Sequence, residues 1–337
     1  MSATVVVGAG RMGRGIAQVF AYAGNQVTLL DIKDRPQDDR ERLFSSARNE
    51  IRENLQFLSA EGLFDEAEIQ PILDRIHLEG VEKSARIIAS ANFVFEAVPE
   101  VLEAKRLTLE VIGRHARADA IVSSTTSTIL VDTLAEFLPH PERFVNAHWL
   151  NPAYLIPLVE VSPGDKTDEK STKSLKSLLE SVGKVPVECK ASPGFIIPRI
   201  QVVALNEAAR IVEEGVATAE EVDKAIRVGF GVRFATMGLL EFIDWGGGDI
   251  LFHASKYLEG ALGSDRYRAP EVIDRNMKEG NIGMDAGNGF YCFENMDVSS
   301  YRKEMLSRFV GLIRHMDLLH EPETTSTAKQ EKEPNNG

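Results

Sequence analysis

Two ionisable side chains near the middle of the chain have the types and spacing of an acid-base pair. His148 follows an apolar strand pattern, and Glu160 lies inside the apolar run of residues 158–161. A carboxylate in a strand interior is costly to bury unless it has a partner, and a histidine that it orients would satisfy it. A neutral imidazole can take the proton of a hydroxyl group near neutral pH. Ser127, in a Ser/Thr-rich loop after another predicted strand, is placed to hold the same oxygen by a hydrogen bond.

Taken alone, such a pair has a simpler interpretation. His148 would be a structural histidine with satisfied hydrogen bonds, and Glu160 a solvated carboxylate at the edge of a sheet. A glycine-rich turn at the start of the chain favours the catalytic interpretation.

That turn follows an apolar strand and leads into a predicted helix over residues 11–23, so residues 5–13 read Val-Val-Val-Gly-Ala-Gly-Arg-Met-Gly. Gly8 permits a tight turn, Gly10 lets the backbone approach a pyrophosphate, and Gly13 allows close helix packing. The free N–H groups and positive dipole end of the helix would face the phosphates. The predicted dinucleotide-binding residues here are Gly8, Ala9, Gly10, Arg11, Met12 and Gly13.

The identity of the dinucleotide is indicated by Asp31. It closes the next apolar run, about 20 residues further on, where an acidic side chain accepts hydrogen bonds from the ribose hydroxyls. A carboxylate there repels a 2′-phosphate, so the sequence predicts NAD rather than NADP. FAD uses the same fingerprint, but nothing else in the chain indicates a flavin.

The chain has 337 residues, which is long enough for two domains, and 43% of them are hydrophobic, as in an ordinary globular protein. The net charge of -13 disfavours nucleic acid and anionic membranes as partners. Cys189 and Cys292 are far apart and belong to no Cys/His cluster, so neither a metal site nor a disulfide framework is predicted. No leader peptide or membrane span is apparent, and we expect a cytoplasmic protein.

Alternating strand and helix patterns up to residue 188 predict an α/β fold, a Rossmann-type doubly wound parallel sheet. A helical hairpin over residues 43–75 is inserted between strands, and residues 87–98 are predicted as a strand. Beyond residue 192 the periodicity is helical only. The predicted domains are therefore a nucleotide-binding domain (1–191), an all-α C-terminal domain (192–320) and a disordered tail (321–337).

Several motifs together resemble the L-3-hydroxyacyl-CoA dehydrogenase family over nearly the whole chain to about residue 320. They are the glycine-rich turn, Glu96-Ala97-Val98-Pro99-Glu100, residues 124–128, His148-Trp149-Leu150-Asn151-Pro152, Leu158-Val159-Glu160-Val161, Pro193-Gly194-Phe195 and Gly287-Asn288-Gly289-Phe290-Tyr291.

The resemblance implies roles for individual residues. His148 would be the catalytic acid-base with Glu160 as its partner, and Ser127 would touch both the reacting oxygen and the nicotinamide. Three further positions match cofactor contacts: Glu100, Lys105 and Asn151. Asn151 would also line the substrate site. By analogy alone, the alternative is that these three are an exposed helix-start carboxylate, a solvated lysine and a turn asparagine.

Two positions depart from the family pattern. Pro198 stands where the family has an asparagine that positions substrate, and Asp285 stands where it has a lysine near the cofactor. The inserted hairpin also lacks a lysine that resembles a CoA-contacting position. These departures weaken the inference of a thioester substrate more than the inference of dehydrogenation.

A second branch of the superfamily acts on free 3-hydroxy acids such as L-gulonate and L-carnitine, and two stretches of the chain are similar to it. They are residues 151–157 and 231–235. Arg233, in the second stretch, could clamp a substrate carboxylate, or it could be a surface arginine or a dimer contact.

The sequence thus predicts an NAD-dependent dehydrogenase of a small-molecule L-3-hydroxyacyl substrate, with 3-hydroxybutyryl-CoA first, as in fatty acid metabolism. A free 3-hydroxy acid is the second candidate. A non-catalytic NAD-binding structural or sensor protein is the third. An apolar stripe in the helical domain predicts a homodimer, and its members are Val202, Leu205, Ala209 and Val212.

Overall fold

The computed structural model describes residues 3–320. Eight strands form one sheet in the order β3-β2-β1-β4-β5-β6-β7-β8, and every neighbouring pair is parallel except β6 and β7. The strands are β1 Thr4–Val7, β2 Val27–Leu30, β3 Ile76–Glu79, β4 Phe93–Glu96, β5 Ile121–Ser124, β6 Phe144–Trp149, β7 Leu158–Pro163 and β8 Val185–Glu188.

Helices connect the strands and cover both faces of the sheet. Alternate residues of a strand point to opposite faces, so Val6 packs into one apolar core while Val5 and Val7 pack into the other. The connecting helices are α1 Arg11–Tyr22, α2 Gln37–Ala60, α3 Ile69–Leu73, α4 Ser84–Ser90, α5 Leu102–His115, α6 Val131–Ala135 and α7 Glu169–Ser181. The predicted α/β class with an inserted hairpin, α2 and α3, is confirmed.

The rest of the described chain is helical, with small bridges only around Asn288. A π-helix at Ile226–Gly231 joins two of these helices. The helices are α8 Ile197–Glu213, α9 Ala219–Ala225, α10 Val232–Phe234, α11 Leu239–Gly246, α12 Gly248–Leu262, α13 Glu271–Glu279 and α14 Val298–His315. This agrees with the predicted all-α C-terminal part.

The chain separates into two compact units, Met1–Asn206 and Glu207–Gly337. The predicted domain boundary after residue 191 stays a prediction, and the predicted disordered tail, residues 321–337, lies outside the described residues.

One predicted strand is too long. Ile87–Ser90, predicted as the start of a strand, ends helix α4 instead, and the strand is confined to Phe93–Glu96. A short apolar run does not distinguish a buried helix from a buried strand. Ile88 is fully buried in the core from the helix. Strand β3 was not predicted: its alternating residues, Ile-His-Leu-Glu, form a run of only four that closely follows helix α3.

Candidate active site

His148 and Glu160 face each other across the one antiparallel strand pair of the sheet. They are direct partners in the register of β6 and β7. His148 Nδ1 lies 2.7 Å from Glu160 Oε2, and the two residues are 5% and 0% exposed. A carboxylate that accepts from Nδ1–H leaves Nε2 with its lone pair. The pair therefore presents a basic nitrogen on a ring that a buried acid orients.

The second oxygen of Glu160 is also satisfied. Oε1 accepts hydrogen bonds from the backbone N–H groups of Ile196, at 2.9 Å, and Ile197, at 2.8 Å. Burial raises the pKa of Glu160, but the hydrogen bonds from His148 and these two amides outweigh burial, so the net pKa is lowered. Glu160 is therefore held as a carboxylate that can stabilise a protonated imidazole.

Phe195 is an aromatic neighbour of the histidine that the sequence placed only within a motif. Its ring stacks on His148 with centroids 5.5 Å apart and an interplanar angle of 28°. Phe195 is buried and has a φ of +43°, a left-handed backbone conformation that is uncommon away from glycine. The preceding Gly194 also has a positive φ, of +76°. The turn thus directs the Phe195 ring onto the imidazole and the next two amides onto Glu160.

The three glycines of the first turn have different surroundings. A Cβ on Gly13 would lie 1.8 Å from the Gly8 carbonyl oxygen, and a Cβ on Gly8 would lie 2.6 Å from the Ala97 carbonyl oxygen. A Cβ on Gly10 would meet nothing within 4 Å. No side chain of the described region caps the N-terminus of α1. Close packing at Gly8 and Gly13, with open space and free N–H groups at Gly10, fits a bound pyrophosphate.

Asp31 directly follows β2 and is 5% exposed. Its Oδ2 accepts a hydrogen bond from Arg35 Nε at 2.8 Å. The arginine leaves the other carboxylate oxygen of Asp31 for a ribose hydroxyl, which fits the predicted role.

A buried ion pair lies behind the predicted cofactor residue Glu100. Lys105 and Glu96 are both 0% exposed, and Lys105 Nζ is 3.0 Å from each Glu96 oxygen. The same ammonium lies 3.4 Å from Glu100 Oε2. Ser124 Oγ donates to Glu96 at 2.5 Å. Full burial makes Lys105 a support for Glu100 in this structure rather than a solvated lysine.

Glu100 organises the loop that carries Ser127. Its Oε1 accepts from Thr126 Oγ1 at 2.5 Å, from the Ser127 N–H at 3.0 Å and from the Thr128 N–H at 2.9 Å. Burial raises the pKa of Glu100, but these donors and the Lys105 charge lower it more, to about 2. Ser127 itself is half-buried, and its hydroxyl has no hydrogen-bond partner among residues 3–320.

The remaining predicted residues are distributed over both units. Asn151 is exposed in the loop after β6. In the second unit, Arg233 is exposed, with its guanidinium 5.6 Å from the centre of the Phe242 ring. Pro198 lies in the first turn of α8, where a missing N–H costs little. Asp285 pairs with Arg302 at the surface, at 2.7 Å.

Metal-binding clusters and membrane-spanning helices are both absent from the described region. Residues 3–320 contain no group of three or more His, Cys, Asp or Glu side chains arranged to hold a metal ion. Over the same residues, no helix combines the length and apolarity needed to cross a membrane.

Two family models match consecutive parts of the chain. Residues 3–192 match the family model described as 3-hydroxyacyl-CoA dehydrogenase, NAD binding domain, and residues 194–292 match the model of its C-terminal domain. A probable 3-hydroxybutyryl-CoA dehydrogenase of Deinococcus radiodurans is 32% identical over 85% of this chain and 98% of its own.

Two further relatives cover most of the chain. An L-carnitine dehydrogenase of Staphylococcus epidermidis is 32% identical over 87% of this chain and 88% of its own. A crystal structure of a 3-hydroxyacyl-CoA dehydrogenase from Archaeoglobus fulgidus is 31% identical, covers 95% of this chain and 100% of its own, and has a TM-score of 0.73.

Proposed function

The chain belongs to the 3-hydroxyacyl-CoA dehydrogenase family, whose members are NAD-dependent oxidoreductases, and on that basis we propose that it oxidises the 3-hydroxyl group of a short L-3-hydroxyacyl substrate. The observation that carries this proposal is the buried His148–Glu160 contact of 2.7 Å. A histidine base paired with an ionised acid is what removal of a hydroxyl proton requires.

Each residue of the pair has a separate task. His148 Nε2 accepts the hydroxyl proton, and Glu160 stabilises the imidazolium that forms while keeping Nδ1 protonated. NAD, which the first turn and Asp31 would hold, would supply the hydride acceptor for the carbon that bears the hydroxyl group. Ser127 holds the substrate oxygen by a hydrogen bond, and Glu100 keeps the Ser127 loop in place through four hydrogen bonds from its backbone and hydroxyl groups.

The residues of the first turn bind the cofactor. The backbone N–H groups at the start of α1 would hold the pyrophosphate beside Gly10, and Asp31 would accept hydrogen bonds from the adenosine ribose. Glu100 and Asn151 lie at the ends of loops after β4 and β6, where an open α/β sheet places its ligands.

Two substrate forms follow from the relatives. The probable 3-hydroxybutyryl-CoA dehydrogenase favours a CoA thioester, which the sequence also placed first. The L-carnitine dehydrogenase favours a free 3-hydroxy acid, and Arg233 is a candidate for its carboxylate. The absence of a positioning asparagine at Pro198 supports the free acid.

The test is formation of NADH from matched pairs of L-3-hydroxybutyrate and L-3-hydroxybutyryl-CoA. No NADH from any 3-hydroxyacyl compound would contradict the proposed function.

We also propose that the protein forms a homodimer. Three apolar side chains of α8 are more than half exposed, namely Val202 at 57%, Val203 at 67% and Leu205 at 67%. A symmetric partner would remove this apolar surface from water. Light scattering after gel filtration measures the mass, and a monomer at micromolar concentration would contradict this part of the proposal.

A further inference from the structure

A polar cleft lies alongside helix α1 in the nucleotide-binding unit. Its volume is about 180 Å³. One wall is α1, a second is α2, and the third is the loop between β6 and β7. The side chains and backbone that define it are Arg11, Gly15, Glu50, Asn54, Asn151 and Tyr154.

The charges around the cleft leave one uncompensated cation. Glu50 forms an ion pair with Arg14, whose guanidinium is largely buried and also donates to the Ala9 carbonyl at 2.9 Å. Arg11, one turn before Gly15 on the same face of α1, is exposed and has no hydrogen bond or ion pair with any residue in the range 3–320. The cleft therefore has a net positive charge from Arg11.

Neutral hydrogen-bonding groups surround that cation. The side chains of Asn151 and Tyr154 make no hydrogen bond within the described part of the chain, and Asn54 Nδ2 donates to Gln18 Oε1 at 3.1 Å, leaving its carbonyl oxygen. A guanidinium with an amide and a phenol beside it matches an anionic oxygen group, because the planar fork of arginine binds a carboxylate through two parallel hydrogen bonds.

The loop wall of the cleft is held in place from behind by a buried lysine. Lys184 is 7% exposed, and its Nζ donates to the carbonyl oxygens of Ala153, at 2.6 Å, and Ile156, at 2.9 Å. Burial lowers the pKa of Lys184. Ala153 in turn packs on α1, since a Cβ on Gly15 would come within 3.0 Å of the Ala153 Cβ. The cleft is thus a preformed feature rather than a gap between mobile loops.

The position and size of the cleft indicate a small ligand next to the reacting centre. Asn151 follows His148 by three residues, a span of at most about 10 Å even when fully extended. The volume of about 180 Å³ is below the roughly 300–1,000 Å³ of pockets that enclose drug-sized ligands. A small acid fits such a volume, whereas most of a CoA molecule would lie outside it.

We propose that this cleft, and not Arg233 of the second unit, binds the carboxylate of a free 3-hydroxy acid, with Arg11 as its counter-charge, and that Arg11 selects such acids over neutral and CoA esters. The inference rests on the proposed function, since it names the substrate class of the same site. The backbone N–H of Arg11, at the first position of α1, is a separate group that remains available to the cofactor pyrophosphate.

The test compares Arg11→Gln with Arg52→Gln, a control on α2 whose side chain contacts Gln70 and does not line the cleft. The substrates are L-3-hydroxybutyrate, its neutral N-acetylcysteamine thioester and its CoA thioester. Loss of one charged interaction should lower kcat/KM of Arg11→Gln for the free acid by about ten- to a hundredfold, mainly through KM. Activity on the neutral thioester, measured at saturating NAD, should fall less, so the ratio of kcat/KM for the free acid to that for the neutral thioester should drop about tenfold or more.

Three results would overturn the proposal: an equal loss on all three substrates, a loss confined to the CoA thioester, or a loss on the free acid that disappears at saturating NAD. Direct binding of L-3-hydroxybutyrate, measured by calorimetry with NAD present, tests the carboxylate site independently of the proposed oxidation. Binding that Arg11→Gln abolishes, without turnover in the unmodified protein, would support the carboxylate site and contradict the proposed function. No binding to the unmodified protein would contradict the site.

Discussion

His148 and Glu160 are opposite residues in the single antiparallel strand pair of an otherwise parallel sheet. Their contact is therefore set by strand register rather than by flexible loops. A shift of one residue would turn one of the two side chains to the other face of the sheet. The change of strand direction between β6 and β7 is what brings two residues twelve positions apart into hydrogen-bond contact.

Glu160→Gln tests the orienting role of this contact. An amide can keep the two backbone hydrogen bonds but cannot stabilise the imidazolium, and it can select the wrong tautomer of His148. We expect kcat to fall roughly 10²- to 10⁴-fold, with the Kd of NAD within threefold. Glu188→Gln is the matched control, since Glu188 is an exposed strand carboxylate paired with Lys176. Activity of Glu160→Gln close to that of the control would contradict the role.

Gly10→Ala and Gly13→Ala should differ in their effect on the stability of the fold. At Gly13 the new methyl group meets a carbonyl oxygen at 1.8 Å, so the free energy of unfolding should fall by about 1–3 kcal/mol or more. Gly10 has a φ of -79° and open space, so Gly10→Ala should fold with stability within about 1 kcal/mol of the unmodified protein.

Gly10 is expected to be required for cofactor binding rather than for folding. Its methyl group would occupy the space of the pyrophosphate, so NAD affinity should fall about tenfold or more. Denaturant unfolding and NAD titration of both variants measure these two effects. Undiminished NAD binding by Gly10→Ala would place the pyrophosphate elsewhere.

Asp31→Ala tests the choice of cofactor. Removing the carboxylate deletes a charged hydrogen-bond acceptor for the ribose and frees Arg35. We expect NAD to bind about tenfold more weakly and NADP to bind better than it does to the unmodified protein. Asp34→Ala, an exposed aspartate in the same loop, is the control. Equal use of NAD and NADP by the unmodified protein would contradict the ribose argument.

Glu100 should give the protein an acid-sensitive contribution to stability. Its pKa falls from 4.5 to about 2 on folding, so the folded state favours the carboxylate. The contribution is present above pH 4.5 and is lost as the pH falls towards 2. The stability difference between the unmodified protein and Glu100→Gln should shrink in that window. A difference that is constant from pH 5 to about pH 2 would show that the Glu100 hydrogen bonds are not formed by the carboxylate.

Much of the fold and the main contact of the site could be predicted because their signals are local. The strand-turn-helix around Gly8, the strand patterns of β6 and β7 and the switch to helical periodicity after residue 192 each occupy a short stretch. The requirement that a strand carboxylate have a partner was enough to pair Glu160 with His148.

Other features depend on partners that lie far away in the sequence. The sequence gives no sign that Lys105 is fully buried against Glu96, or that Glu100 organises the Ser127 loop. The environment of the Arg11 side chain depends on α2, whose Glu50 pairs with Arg14 of α1 and leaves Arg11 unpaired within residues 3–320. The stacking of Phe195 on His148 requires a positive φ that no residue-type preference predicts.

The most direct test of the central claim is the turnover of His148→Gln with NAD and L-3-hydroxybutyrate or its CoA thioester, measured beside its Kd for NAD. Glutamine fills the site but has no basic nitrogen. The account predicts a fall in kcat of about a thousandfold or more, with the Kd for NAD changed only a fewfold. Turnover of His148→Gln comparable to that of the unmodified protein would show that another group takes the hydroxyl proton.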